Sequence, residues 1–300
     1  MAEPVYDLNS ALLCDEDSAC LADGAGDDDA AGSLTTLGVG AASCVYLLPG
    51  GVARKIVPKC DGVPRRGFDV PAEYAMLRAV QGHPNVMTAI SLIDAGAEWY
   101  LDSVAVGRGR TLFDFICDTG PVAYQPVLAV SAWAQLTSAV AWCHRRRVIH
   151  GDVKLDNALM SHDGTVVLAD FGFAHQVDDI TADEVFSSGS VDYAAPELFL
   201  RDTPHMACAP DSWALGVCFY ALLFRDLPFS RGIPNSMSHT RARRIAIGRI
   251  MQADVDYNLQ LPTGLDASLL NFCRGTMVCD QGARLTPICL DDVLVESLRV

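Results

Sequence analysis

Two short stretches hold most of the chemistry-bearing residues of this chain. His150-Gly151-Asp152-Val153-Lys154-Leu155-Asp156-Asn157 is followed, eighteen residues beyond Asp152, by Asp170-Phe171-Gly172. Asp152, Lys154, Asn157 and Asp170 put two acids, an ammonium and an amide in an apolar setting. That is the equipment for holding a Mg-nucleotide and aiming a hydroxyl at its terminal phosphate. Taken singly, Asp152 or Asp170 reads as a turn or helix-cap acid, so the reading depends on what the rest of the chain brings to them.

The elements that must position these residues are legible in outline. Leu37-Gly38-Val39-Gly40-Ala41-Ala42-Ser43-Cys44-Val45 passes from glycine to turn to strand, and paired glycines let backbone approach phosphates with no Cβ in the way. Residues 44–48, the Pro49-Gly50-Gly51 turn and residues 52–57 read as a hairpin. On its second strand Lys55 lies between Ala53 and Ile56, apolar neighbours that point it into a cleft, although a lone strand lysine ordinarily snorkels. A helix opens at Pro71, runs to Val80 and is closed by Gly82-His83-Pro84. Glu73, one turn in, is either an acid favoured at a helix N-terminus or a partner for Lys55. Strands over 86–93 and 99–106 then end at Gly107-Arg108-Gly109, a joint that marks a lobe boundary. Beyond it helices dominate. One covers 127–146, with Arg145, Arg146 and Arg147 read as a solvated terminus, and an apolar one covers 211–224. Between them lie a hairpin across His162-Asp163-Gly164 and a polar segment over 177–190.

Composition narrows the class. The net charge is −15, but residues 1–53 hold nine acids and no Lys or Arg, leaving 28 acids against 22 bases, a net of −6, on the remainder. A nucleic-acid-binding surface is not expected from that balance. Residues 1–32, rich in Asp, Ala and Gly, read as an acidic disordered tail. Eleven scattered cysteines without a C-x-x-C pair fit reduced thiols in an intracellular compartment. No basic n-region with an apolar core opens the chain, and the longest apolar run, residues 213–224, is too short to span a bilayer. The expectation is a soluble intracellular protein of cytoplasm or nucleus, with no membrane contact and monomeric by default.

Set in order, these motifs resemble the eukaryotic-type protein kinases over residues 34–290. The catalytic-loop pattern of that family appears as Asp152, Lys154 and Asn157, and its magnesium motif as Asp170-Phe171-Gly172. The end of the activation segment is similar to Gly189-Ser190-Val191-Asp192-Tyr193-Ala194-Ala195-Pro196-Glu197. Asp211-Ser212-Trp213-Ala214-Leu215-Gly216 resembles the helix that anchors the catalytic loop, and Asp280 with Arg284 the closing motif whose arginine pairs with Glu197. The resemblance implies an α+β, bilobal fold: a small antiparallel-sheet lobe with one helix, about 33–106, and a larger helical lobe, about 107–300, with ATP between them. It implies Asp152 as catalytic base and Lys154 offsetting charge on the moving phosphoryl group. Asn157 and Asp170 become oxygen ligands for Mg2+. Lys55 holds the α- and β-phosphates and is fixed by Glu73. Backbone around Leu37, Gly38, Val39, Gly40, Ala41, Ala42 and Ser43, with Val45, covers the nucleotide, and Ala105 to Gly107 meets the adenine with Val104 behind it. Protein substrates are the implied partners. Lys154 together with Ser190 favours Ser and Thr hydroxyls over Tyr as acceptors.

The chain also departs from the family. Gly151 stands where an arginine usually separates the loop's histidine from its aspartate. That arginine typically pairs with an activation-segment phosphate, so switching by phosphorylation is not expected here, and Thr181, Ser187 and Ser188 have no evident partner. Ser43 replaces a third glycine and Ala42 an aromatic loop tip. The His-Gly-Asp loop is shared with small-molecule phosphotransferases of the aminoglycoside and choline kinase type. Against that alternative stand Lys154, Phe171-Gly172, Ala195-Pro196-Glu197 and the helix motif at 211–216. A pseudokinase scaffold is the other alternative, but the presence of Lys55, Glu73, Asp152, Asn157 and Asp170 together argues against it. The compact loops and acidic leader are similar in style to kinases of large DNA viruses, including herpesvirus-type ones.

Overall fold

The computed structural model describes residues 35–40, 43–59, 69–118, 125–180, 183–184, 190–200, 204–234, 236–259 and 261–297. The tail over 1–32, the loop residues Ala41 and Ala42, and Thr181, Ser187 and Ser188 lie outside them.

The small lobe is a five-stranded antiparallel sheet of order β1-β2-β3-β5-β4. Its strands are β1 (Thr35–Gly40), β2 (Ser43–Leu48), β3 (Val52–Pro58), β4 (Ala89–Asp94) and β5 (Glu98–Val104). The β2–β3 turn uses Gly50 and Gly51 at φ of 83° and 76°, left-handed values that a Cβ disfavours. Register then lines Gly38, Val45, Lys55 and Leu101 across the sheet as successive opposed residues. Directly opposed residues share a face, so the four form one row.

Helix α1 (Val70–Val80) packs Val70, Leu77 and Val80 inward. It starts one residue ahead of the sequence reading because Asp69 caps it, accepting the Ala72 N–H at 3.1 Å. Strand β4 begins at Ala89, not at 86, because the large lobe takes the intervening residues. Val86 bridges Leu168, and the Met87 N–H donates to the Leu168 carbonyl at 2.9 Å. The end of α1 is tied to the large lobe too, where Trp142 Nε1 donates to the Val80 carbonyl at 2.7 Å.

The large lobe is built on α2 (Leu112–Asp118), α3 (Pro126–Arg145), α4 (Ala209–Phe224), α5 (His239–Ile250), α6 (Leu270–Thr276) and α7 (Pro287–Ser297). Short pairs β6 (Val148–Ile149) with β9 (His175–Gln176), and β7 (Ala158–Met160) with β8 (Val166–Leu168), hold the loops that carry the motifs. Helix α4 begins two residues before the expected 211 and is buried nearly all round, as its largely apolar sequence requires. Trp133 of α3 stacks on Phe219 of α4 at 4.0 Å and donates from Nε1 to the Leu215 carbonyl at 3.0 Å. Helix α3 is long and apolar enough to cross a membrane by length and composition, and in this fold it buries Trp133, Leu136 and Val140 in the core. Its C-terminus is not merely solvated: Arg145 bridges Asp291 and Asp292 of α7 at 2.7 and 2.8 Å.

Candidate active site

Lys55 crosses from the sheet to the large lobe. Its Nζ lies 2.9 and 3.0 Å from the two carboxylate oxygens of Glu73 and 3.0 Å from Oδ1 of Asp170. The row containing Lys55 is therefore the cleft face. Glu73 is only 4% exposed, so of its two readings the structure shows the lysine partner, not a solvated first-turn acid. Burial lowers the proton affinity of Lys55, but the charges of Glu73 and Asp170 outweigh it and hold the ammonium well above its ordinary range. Burial pushes Glu73 upward, only partly countered by Lys55. Asp170 meets the same desolvation, and there Lys55 prevails and keeps the carboxyl below its usual range. Asp170 sits at φ 57°, a left-handed turn that delivers its side chain to the cleft while Phe171 is fully buried. Phe171 packs edge-on against His150 at 4.7 Å.

The loop bearing Asp152 is fixed from beneath by Asp211. Its Oδ2 accepts the His150 N–H at 2.9 Å and its Oδ1 the Gly151 N–H at 2.9 Å, while His144 Nε2 lies 2.8 Å from Oδ2. Burial raises Asp211, but these partners more than compensate and keep it depressed. Above this anchor, Asp152 is 5% exposed and gathers the other motif residues. Its Oδ2 accepts from Lys154 Nζ at 2.7 Å and from Asn157 Nδ2 at 3.0 Å, and its Oδ1 accepts the Ser190 N–H at 3.1 Å. Lys154 Nζ also reaches Ser190 Oγ at 3.0 Å. The Asn157 amide further donates to the Asp152 carbonyl at 2.9 Å. With its NH2 spent in this way, Asn157 retains its Oδ1 as an oxygen donor.

Gly151 lies at φ 79°. Past Ser190, Arg284 closes the segment with a buried fork on Glu197, Nη1 to Oε1 at 2.6 Å and Nη2 to Oε2 at 3.1 Å.

The cleft roof needs corrections at residue level. Gly38 and Val45 stand in the Lys55 row. Val39 is on the opposite face and 76% exposed, so only its backbone is available to the cleft. Leu37 falls at a register shift in β1, and its carbonyl presses on the joint: a Cβ at Gly109 would lie 2.7 Å from it. Gly40 pairs with Ser43 beside Ala41 and Ala42, which are not described. At the back of the cleft the residue is Ser103, not Val104. Ser103 is opposed to Ala53 and 6% exposed, whereas Val104, one residue on, is 45% exposed on the other face. The Ala105 N–H is committed to the Gly51 carbonyl at 2.9 Å. Gly107, at φ 53°, backs onto β7, where a Cβ would meet the Met160 carbonyl at 3.4 Å. The Val104 N–H is committed as well, to the Thr88 carbonyl at 2.9 Å. Sequence reasoning also missed Ala53, buried beside Ser103. Alternation along β3 from Lys55 could have found it.

Among the described residues no group of three or more His, Cys, Asp or Glu side chains could hold a metal by itself. The donors present are Asp170, held ionised by Lys55, and the Asn157 carbonyl oxygen. Two hard oxygen donors fit a cation that draws its remaining ligands from phosphates and water.

An antiparallel lobe with one helix, set on a helical lobe and joined across the cleft by a lysine between two carboxylates, is the architecture of a protein kinase. A model of the protein kinase domain matches residues 32–295, and the chain belongs to that family. It is 32% identical over 181 residues to CBL-interacting protein kinase 22 of Oryza sativa subsp. japonica, a stretch covering 58% of this chain and 40% of that protein. It is 27% identical over 220 residues to the probable serine/threonine-protein kinase KCC4 of Saccharomyces cerevisiae, covering 68% of this chain and 21% of that protein. The chain thus spans less than half the length of these relatives.

Proposed function

We propose that this chain transfers the terminal phosphoryl group of ATP to Ser and Thr hydroxyls of protein substrates. The observation that carries the reading is the joint geometry of two clusters. Lys55 is held between Glu73 and Asp170, and Asp152 is hydrogen-bonded to Lys154, Asn157 and the Ser190 backbone. The names of both relatives, a protein kinase and a probable serine/threonine-protein kinase, support the substrate class.

Asp152 orients the acceptor hydroxyl and takes its proton as the oxygen attacks. Lys154, already spanning Asp152 and Ser190, meets the charge that spreads over the transferred group. Lys55 holds the α- and β-phosphates, and Glu73 keeps its ammonium aimed at them. Asp170 and Asn157 would hold Mg2+, which when bound neutralises phosphate charge and fixes the phosphate geometry. The Gly38 to Ser43 backbone, with Val45, covers the phosphates. Catalysis here is positioning and electrostatics more than covalent help.

Gly151 carries no side chain to pair with a phosphorylated activation segment, so activity is independent of such phosphorylation. The test is transfer of radiolabel from ATP to a peptide library, followed by phosphoamino-acid analysis. Label on Ser and Thr is the expected result. Label only on small alcohols or amines, with peptides untouched, would refute the proposal.

A further inference from the structure

Helix α5 reverses the sign of its surroundings. The chain carries a net charge of −15, yet no Asp or Glu occurs between Asp226 and Asp254, and Arg231, Arg241, Arg243, Arg244 and Arg249 all fall in that span. The helix buries Ala246, Ile247 and Ile250 against the large lobe. Arg241, Arg244 and Gly248 are exposed and follow one another at spacings of three and four, so they form one stripe on the side away from that packing. Among the described residues neither Arg241 nor Arg244 has an ion-pair partner. Gly248 extends the stripe without a side chain, and a Cβ there would meet nothing within 4 Å, so a bound chain has open surface beside Arg244.

The stripe stands in a fixed relation to the acceptor site. Arg249, on the half-buried flank of the helix, donates from Nη1 to the Phe229 and Arg231 carbonyls at 3.0 and 2.7 Å and so bolts α5 to the loop before it. Ser230, between those two residues, donates its hydroxyl to Asp192 Oδ1 at 2.6 Å. Asp192 is two residues from Ser190, whose N–H donates to Asp152 at 3.1 Å. Helix α5 also packs on the Val191–Tyr193 turn. A helix is about 10–12 Å across, so at least about four extended residues carry a chain from that turn to the outer stripe.

We propose that the stripe of Arg241 and Arg244 docks an acidic segment of the protein substrate, set at least about four residues from the phosphorylated hydroxyl. Guanidinium forks match carboxylates, and the sign of the stripe selects acidic partners over basic ones. That the docked partner is a substrate rests on the transfer proposed above, whereas the docking itself rests on the stripe alone.

Fluorescence polarisation without ATP tests the docking separately from the kinase reading. The probe is a fluorescein-labelled peptide of six glutamates, with a peptide of six glutamines as its neutral counterpart. The full chain should prefer the glutamate peptide, and high salt should remove the preference. R241E/R244E should weaken glutamate-peptide binding about fivefold, and R241K/R244K should retain it. If R241E/R244E lowers the melting temperature, R241Q/R244Q carries the comparison. For the substrate role, serine peptides carry the six glutamates six residues before or after the acceptor. One of the two placements should lower KM about fivefold relative to glutamine, a difference that R241E/R244E abolishes while kcat stays unchanged. Equal glutamate-peptide binding by wild type and the folded arginine variants would overturn the docking, as would tighter binding of single-stranded DNA of equal charge through the same arginines. Arginine-dependent binding with no KM difference in either placement would overturn the assignment of the partner as substrate.

Discussion

At the residue scale, the site consists of charges that hold one another in place, and the substitutions that separate their roles follow from that. The Glu73 carboxylate hydrogen-bonds Lys55, so Glu73→Gln should raise the KM for ATP more than it lowers kcat, while Lys55→Met should reduce both nucleotide affinity and turnover. Steady-state kinetics at varied ATP distinguishes them, and identical kinetics for the two variants would count against the aiming role of Glu73. Gly151 makes a second prediction. At φ 79° a side chain is strained, so Gly151→Arg should lose about 1–2 kcal/mol of stability in urea titration. Wild-type activity should survive phosphatase treatment. Collapse of wild-type activity would show that some other group reads an activation-segment phosphate.

Legibility at this scale was uneven for a physical reason. Asp152, Lys154 and Asn157 are legible by residue type at fixed spacing because one short loop carries all three, whereas Asp170 follows on a separate turn beyond the β7–β8 pair. Ser103 was missed because strand residues alternate faces, so a one-residue slip in β5 swaps a buried serine for an exposed valine. Register comes from the β2–β3 turn and the β3–β5 ladder, which the apolar pattern alone leaves open by a residue.

At the element scale, the large lobe holds the site by close approach. Gly216 on α4 faces Thr276 at the end of α6, where an added Cβ would lie 2.1 Å from Thr276 Oγ1. Gly216→Ala therefore forces the helices apart and should destabilise by about 1–3 kcal/mol, despite alanine's better helix propensity. A gain in melting temperature would contradict the packing. Arg284 and Glu197 form a fully buried fork, so Arg284→Ala should cost about 3–5 kcal/mol by leaving a carboxylate without its partner. Denaturant midpoints measure it. The helices themselves were legible from apolar runs and prolines, but their starts were not. Asp69 as the cap of α1, and Ala209 with Pro210 as the first turn of α4, are local details that apolar periodicity does not register. The start of β4 depended on a long-range pairing of Val86 with Leu168 that no local signal announces.

At the scale of the whole molecule, burial sorts the thiols. Among the described residues Cys143, Cys208, Cys218 and Cys273 are buried, whereas Cys117, Cys279 and Cys289 are exposed. Burial, reinforced by the Asp211 charge, pushes Cys208 up to about 11, so almost none of it is thiolate at pH 8. Brief alkylation at pH 8 should therefore label Cys117 and Cys289, reach Cys279 more slowly because partial burial raises its thiol, and spare the four buried thiols, as read by peptide mass spectrometry. Early labelling of Cys208 or Cys218 would mean that the core around α4 opens. The same core positions Asp211 beneath the loop of Asp152, so the integrity of the lobe and the geometry of the site are one property.

The central claim is that nucleotide binding and phosphoryl transfer divide between Lys55 with Asp170 on one side and Asp152 on the other. The most direct measurement pairs a thermal shift with Mg-ATP against radiolabel transfer to peptide, in wild type and Asp152→Asn. The account predicts a similar upward shift in both proteins, with transfer reduced about 100-fold or more in the variant. Equal transfer by both proteins, or no thermal shift in either, would contradict it.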